Sequence, residues 1–364
     1  MFCHAAKALA EYFVRTLCYP MYSNPAVTRS AQNIFLAGLL LLQAACDQNK
    51  RSSEMGVIVQ ADPELVNILE NGTRLEKLAS GVGLLEGPVW GFGHLLFSDM
   101  RSHVIYQWHP VSGLSMFYET GFTRTGPNGL AFDKDGRLTM CEHGNRRVSR
   151  LEKDGSLTVL ADSYNGKRLN SPNDLVYRSD GFLYFTDPPF GLKGKYADPQ
   201  KELPFSGIFL LSDGKLQLLT DELSGPNGVT FSPDEHYLFV GDDNPQQPVI
   251  HRYQVKANGT LSRGELFFNA SSAGASSLEG HTLDGMKSDI QGNLYATASS
   301  GIIFISATGK YLGTLQVPEE TTNIAWGEDD QKTLYITGTR SLYRIRLKIP
   351  GRRTILGNPV PPAG

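Results

Sequence analysis

From residue 84 to residue 346 the chain repeats one pattern: a short run of alternating apolar and polar residues, a turn dipeptide, and a second apolar run. AFDKDGRLTMCEH, VYRSDGFLYFTD and MKSDIQGNLYATAS show it most plainly. Alternation with a period of two signals strands with one face buried. The dipeptides Asp135-Gly136, Asp180-Gly181 and Gln291-Gly292 mark the turns, and Asp-Gly is favoured in hairpins whose two central residues both need positive φ. Each unit is therefore expected to be a β-hairpin followed by two outer strands, such as RRVSRLEK and then LTVLAD. No segment of helical period separates the units, so the pattern predicts an all-β fold rather than a parallel sheet with crossovers.

A second regularity lies on the first. Six apolar strands open on an oxygen-bearing side chain: Glu86 in LLEGPVW, Asn128 in GPNGLAF, Asn173 in SPNDLVY, Asn227 in GPNGVTF, Asp284 in LDGMKSD and Asn323 in TTNIAW. Successive positions are 39 to 57 residues apart, near the ~40–50 of four-stranded propeller blades. The simplest architecture is a six-bladed β-propeller over residues 61–349, its last blade completed by TRLEKLAS (73–80) from the start of the domain. Innermost propeller strands line a central channel side by side, so the six positions become one ring at one mouth. The segments after each hairpin, SDMRSH, CEHGNRR, TDPPFGLKGKY and GDDNPQQP, border the same mouth and bring His143, Asp187 and Asp242 near it. The long connection from Pro188 to Ser206 is a candidate lid.

Taken singly, Pro-Asn-Gly is a turn signal: Pro presets φ, Asn tolerates left-handed backbone and Gly removes the steric cost. Turn geometry alone would also accept Gly, Ser or Pro at the recurring position, yet all six carry a carboxylate or carboxamide oxygen. Glu86, Asn173, Asn227 and Asp284 would offer two charges and two neutral carbonyls to the channel centre, a set that suits Ca2+ with its six to eight oxygen ligands. Mg2+, Mn2+ and Zn2+ stay open, although zinc would more often recruit His or Cys, and no HExxH or paired CxxC occurs. The alternative reading is that these side chains only satisfy buried backbone at strand starts. There is no G-x-S-x-G nucleophile elbow, and Asp133-Lys134-Asp135-Gly136 lacks the later ligands of a calcium loop and reads as a hairpin turn.

Composition narrows the function classes. With 364 residues, 40% hydrophobic and 20% charged, the chain can bury one large core. Its formal net charge of −3 and the lack of any long basic run leave no footprint for nucleic acid. Of four cysteines, Cys3, Cys18 and Cys46 precede the repeats and only Cys141 lies among them, which excludes a disulfide framework there. The first 46 residues read as a signal-like segment, with the apolar run IFLAGLLLLQAA at 34–45 too short to span a membrane. Arg29 before that run and Ala44-Ala45 before Cys46 resemble a bacterial lipoprotein signal lipidated at the cysteine, with ordinary cleavage and an uncleaved anchor as alternatives. Met21 is a candidate true start, residues 47–60 a polar tether, and residues 350–364 a Pro/Gly-rich flexible tail. The expected location is outside the cytoplasm of a bacterium, periplasmic or attached to the cell envelope; the oligomeric state is left open.

LLEGPVW, GKRLNSPNDLVYRSDGFLYFTDPPFGL, GPNGVTFSPD, LDGMKSDIQGNLY and TTNIAWGEDDQKTLYITGTRSLYRI, in that order, resemble the gluconolactonase, senescence-marker protein and luciferin-regenerating-enzyme family. The resemblance implies a six-bladed propeller that hydrolyses lactones or related esters with a divalent cation in the channel. It implies Glu86, Asn173, Asn227 and Asp284 as metal ligands, with Asp284 also the catalytic acid/base. Asn128, His143, Asp187 and Asn323 are the expected substrate-facing residues. Animal members carry an arginine two places before the first of the two asparagines; here Ser171 stands there, as in the bacterial branch, with Lys167 and Arg168 as nearby substitutes. The leading expectation is a metal-dependent hydrolase opening a gluconolactone-like sugar lactone to the aldonic acid. Its rivals are a same-fold hydrolase for another lactone or an organophosphate, and a propeller that binds a ligand without chemistry.

Overall fold

The computed structural model describes residues 56–70, 72–121, 126–275 and 281–353. The chain divides into two units, Met1–Met55 and Gly56–Gly364. The first, with the signal-like segment, Met21 and Cys46, lies outside the described residues, as does the tail from residue 354.

The second unit is a six-bladed β-propeller. Its innermost strands are Leu85–Gly91, Pro127–Phe132, Leu175–Tyr177, Pro226–Phe231, Leu283–Ser288 and Thr321–Gly327, here blades 1 to 6. Each leads an antiparallel sheet of at least four strands, and the six inner strands adjoin in cyclic order. The core lies between neighbouring sheets: Val89, Leu96 and Ile105 of blade 1 pack on Leu130, Phe132 and Met140 of blade 2. Central strands are covered on both faces, as in Leu183–Asp187, where every residue is buried. That is why their sequences are more continuously apolar than a half-exposed strand requires.

Blade 6 closes the ring with chain from the start of the domain. Glu76–Ser80 pairs with Ser341–Arg346, Glu76 opposite Arg344 and Ser80 opposite Ser341, and Arg344 Nε meets Glu76 Oε2 at 2.9 Å. Two boundaries differ from the sequence reading. Val57–Gln60, placed in the tether, adds a fifth strand to blade 5 against Gly313–Gln316. Its β-branched residues suit a strand, and the outer edge of blade 5 offers unpaired backbone. The packed chain also continues past Ile349: Ile290 N donates to the Pro350 carbonyl and Arg352 N to the Ser288 carbonyl, while Arg352 pairs with Glu235 and lies 5.5 Å from the Phe231 ring centre.

Pro-Asn-Gly is not a turn here. In blades 2 and 4 it begins the inner strand, over a β-bulge between Pro127 and Leu130 and between Pro226 and Val229. The glycines are needed because neighbouring inner strands touch at the ring. A Cβ on Gly228 would come within 2.2 Å of the Asp284 carbonyl oxygen, and one on Gly285 within 2.0 Å of the Asn323 carboxamide. The Asp-Gly hairpins also differ: at Asp135-Gly136 only the glycine has positive φ, 74°. The Asp133 carboxylate accepts from Asp135 N and Arg137 N, which favours a turn ending in a left-handed glycine over one with two such residues.

Gly228→Ala is expected to cost about 1–3 kcal/mol of stability, the usual penalty for overpacking, read as a lower denaturation midpoint. A midpoint equal to the parent's would show that the inner strands can spread.

Candidate active site

All six ring residues are buried: Glu86, Asn128, Asn173, Asn227, Asp284 and Asn323 are each at most 5% exposed. Hydroxyls stitch the ring backbone from blade to blade. Ser98 Oγ donates to the Asn128 carbonyl at 2.7 Å, Thr186 Oγ1 to the Asn227 carbonyl at 2.8 Å, Thr297 Oγ1 to the Thr322 carbonyl at 2.8 Å, and Thr322 Oγ1 to the Leu85 carbonyl at 2.6 Å. Acids at the ends of second strands pin the loops that lead into the ring. Asp99 accepts from Gly83 N, Asp242 from Gly225 N, and Asp187 from Asn170 N at 2.7 Å and Ser171 N at 2.8 Å.

Asp187, expected to face the substrate, turns its carboxylate to the chain that leads into the ring. It is fully buried with both oxygens on backbone amides, and it fixes the approach to Asn173. Asn323 is likewise engaged at both ends: its Nδ2 donates to Glu86 Oε2 at 3.1 Å and its Oδ1 accepts from Ile324 N at 2.9 Å. It holds Glu86 in place. Ser171 Oγ donates to the Pro188 carbonyl and accepts from Gly191 N, anchoring the base of the long connection, and Arg168 Nη2 turns to the Asn145 carbonyl. Both side chains are thus engaged by backbone.

Other ring atoms are free to bind. Asn227 Nδ2 donates to the Leu283 carbonyl at 3.3 Å, but its Oδ1, like Asn128 Oδ1, is buried without a hydrogen-bond partner. Such atoms are costly in a native fold unless something else meets them. His143 stands beside Asn128, its Nδ1 3.2 Å from Asn128 Nδ2 and 3.3 Å from the Pro172 carbonyl oxygen.

The electrostatics point the same way. Burial raises Glu86 to about 7, with the Asp174 charge adding to it against hydrogen bonds from Gly87 and Asn323. Burial, then the Glu86 charge, holds Asp284 well above the ordinary carboxylate range. Two buried carboxylates that resist sharing charge are the arrangement a cation would relieve. Among the described residues no three His, Cys, Asp or Glu side chains gather as a metal centre; the donors here are two carboxylates and carboxamide oxygens. An all-oxygen set of this kind suits a hard divalent cation better than zinc, which more often recruits His or Cys.

One residue was missed by sequence reasoning. His281 Nδ1 lies 2.7 Å from Asp243 Oδ2, and Asp243 Oδ1 accepts from Thr282 N. Burial lowers His281, but the neighbouring charges of Asp284, Asp243 and Glu320 outweigh it and raise the imidazole to about 10, which favours the protonated ring. Its place three residues ahead of Asp284 was the available signal. Over it lies the 188–206 connection: the Phe190 ring is 6.0 Å from His281, tilted 61°, and 6.3 Å from Tyr196.

Residues 84–340 match the family model described as SMP-30/Gluconolactonase/LRE-like region. The chain belongs to this family. It is 35% identical over 330 residues to a gluconolactonase of Zymomonas mobilis, covering 84% of this chain and 90% of that one. A gluconolactonase structure from Xanthomonas campestris superposes with a TM-score of 0.70 at 32% identity, over 80% of this chain and 95% of the other. A calcium-binding protein, regucalcin, from Agrobacterium tumefaciens shares the fold, with a TM-score of 0.64 at 19% identity over 78% of this chain and 97% of the other. The protein is a gluconolactonase-like lactonase, and its substrate is a small-molecule lactone.

In this lactonase burial lowers His143 from 6.5 to about 4, against the Pro172 carbonyl, which favours the protonated ring. Between those values the unfolded chain binds a proton that the fold refuses, so stability falls as pH drops from about 6.5 to 4, by up to about 3 kcal/mol. His143→Gln should remove that part of the acid slope in denaturant titrations at pH 7, 5.5 and 4.5; an unchanged slope would mean that His143 protonates freely in the fold.

Proposed function

We propose that the lactonase opens a gluconolactone-like sugar lactone to the aldonic acid and depends on a divalent cation held by Glu86, Asn173, Asn227 and Asp284. The observation that carries the reading is one ring offering two mutually repelling carboxylates and an unpartnered, buried Asn227 oxygen. Ca2+ suits this oxygen-only set better than Mg2+, which demands stricter geometry and keeps more of its water. When bound, the cation supplies Lewis acidity toward a carbonyl oxygen and makes water more acidic.

The remaining work falls to the side chains. Asp284 takes a proton from the attacking water and returns it to the ring oxygen released when the acyl C–O bond breaks. His281, fixed by Asp243, keeps a positive charge beside Asp284 and favours its ionised form. Asn128, backed by His143, offers its free Oδ1 to a substrate hydroxyl. Phe190 over His281 limits access of bulk water. Export to the bacterial envelope, with lipidation at Cys46, belongs to the same proposal and rests on residues 29–46 alone.

Asp284→Asn keeps the shape and removes the charge, and should lower kcat on gluconolactone by at least about 10²-fold; turnover at the parent rate would rule out the assignment. Chelation should abolish activity, and Ca2+ should restore it in a titration followed by acid release. Full activity in excess chelator would remove the metal from the reaction. Faster turnover of another lactone or a phosphotriester in a substrate panel would reassign the substrate.

A further inference from the structure

In blades 1, 2, 4 and 5 the ring residue is followed by glycine, and in blade 6 by Ile324; blade 3 alone puts a charge there, Asp174. Asp174 is 2% exposed. Its Oδ1 accepts from Leu175 N at 2.9 Å, while its Oδ2 receives only a long contact, 3.4 Å, from Val229 N of blade 4. The cation that answers it comes from blade 5. Lys287 Nζ donates to the Met286 carbonyl at 3.0 Å, reaches Asn323 Oδ1 at 3.5 Å and lies 3.9 Å from Asp174 Oδ2. On its other side Lys287 borders a cavity it shares with Trp90, Tyr177 and Trp326. The ammonium thus stands on the channel wall between the ring and that cavity, linking blades 3, 5 and 6.

We propose that Asp174 and Lys287 are a compensating charge pair that sets how tightly the ring holds its divalent cation; this rests on the metal reading above. The carboxylate directly follows Asn173 and attracts a dication at the ring, and the ammonium, in contact with Asn323, repels it. In the weakly screened interior of the channel either charge alone shifts cation affinity on the order of tenfold or more, and the two together nearly cancel. The pair also accounts for the departure from glycine in blade 3: without Asp174, Lys287 would be a poorly compensated cation inside the channel. Neither residue touches the reacting atoms; both are positioning residues that act through the ring.

The test is calorimetric titration of Ca2+ into the parent and four variants, Asp174→Asn, Lys287→Met, Lys287→Arg and the double Asp174→Asn/Lys287→Met, with the Ca2+-dependent rise in melting temperature as a second readout. Asp174→Asn should weaken Ca2+ binding on the order of tenfold, Lys287→Met should tighten it by a similar factor, and the double variant and Lys287→Arg should return near the parent value. A purely structural role would make both single neutral variants bind more weakly, and that result overturns the proposal, as does parent affinity in Asp174→Asn. Should Lys287→Met fail to fold, Lys287→Gln takes its place: tighter Ca2+ binding there with weaker binding in Asp174→Asn supports the pair, and weaker or parent-like binding in Lys287→Gln overturns it. A parent that binds neither Ca2+, Mg2+ nor Mn2+ removes the metal reading itself, which is a different result from parent binding that the variants leave unmoved.

Discussion

Everything in this molecule depends on how closely six inner strands approach one axis. Closing the ring brings backbone of one blade against backbone or side chain of the next, so near that Gly228 and Gly285 have no room for a Cβ. Hydroxyls of Ser98, Thr186, Thr297 and Thr322 then satisfy the carbonyls this packing buries. With the backbone so constrained, the ring side chains have little choice of direction. They face the channel because nowhere else is open, and in five of the six blades, all but blade 3, a bulge near the strand start aims them.

Crowding also explains the chemistry. Carboxylates packed this close cannot all stay charged without cations, and the channel meets that demand unevenly. His281 answers Asp284 from the mouth, Lys287 answers Asp174 from the channel wall, and Glu86, hydrogen-bonded by the neutral Asn323 carboxamide and the Gly87 amide, feels His281 more weakly than it feels either. Side chains that pin loops, such as Asp187 and Asp242, look identical in sequence to those that face the site. They differ only in which backbone amides lie within reach.

That difference marks the limit of what could be read from the chain. The blade count, the ring and its six members were legible, because a repeat of strand and turn is imposed by local alternation and each copy reinforces the others. The closing strand at 76–80 was legible from position, being the alternating segment left unassigned ahead of blade 1. The partners of Asp187 and Asn323 were not legible, because the Asn170 amide and the Glu86 carboxylate lie 17 and 237 residues away. His281 was overlooked because its hydrogen-bond partner, Asp243, lies on a different blade. Pro-Asn-Gly was ambiguous for a physical reason: glycine serves a left-handed turn and a close backbone approach equally well, and only the neighbouring strand tells them apart.

The last blade is made from both ends of the domain, with Glu76 ion-paired to Arg344 across 268 residues. Five blades can therefore be synthesised and paired while the circle stays open, its first strand waiting for the final one. The contact between Glu86 and Asn323, 237 residues apart, likewise needs both ends of the domain. A chain lacking Ser341–Arg346 is expected to leave Glu76–Ser80 without its partner strand and the ring unclosed.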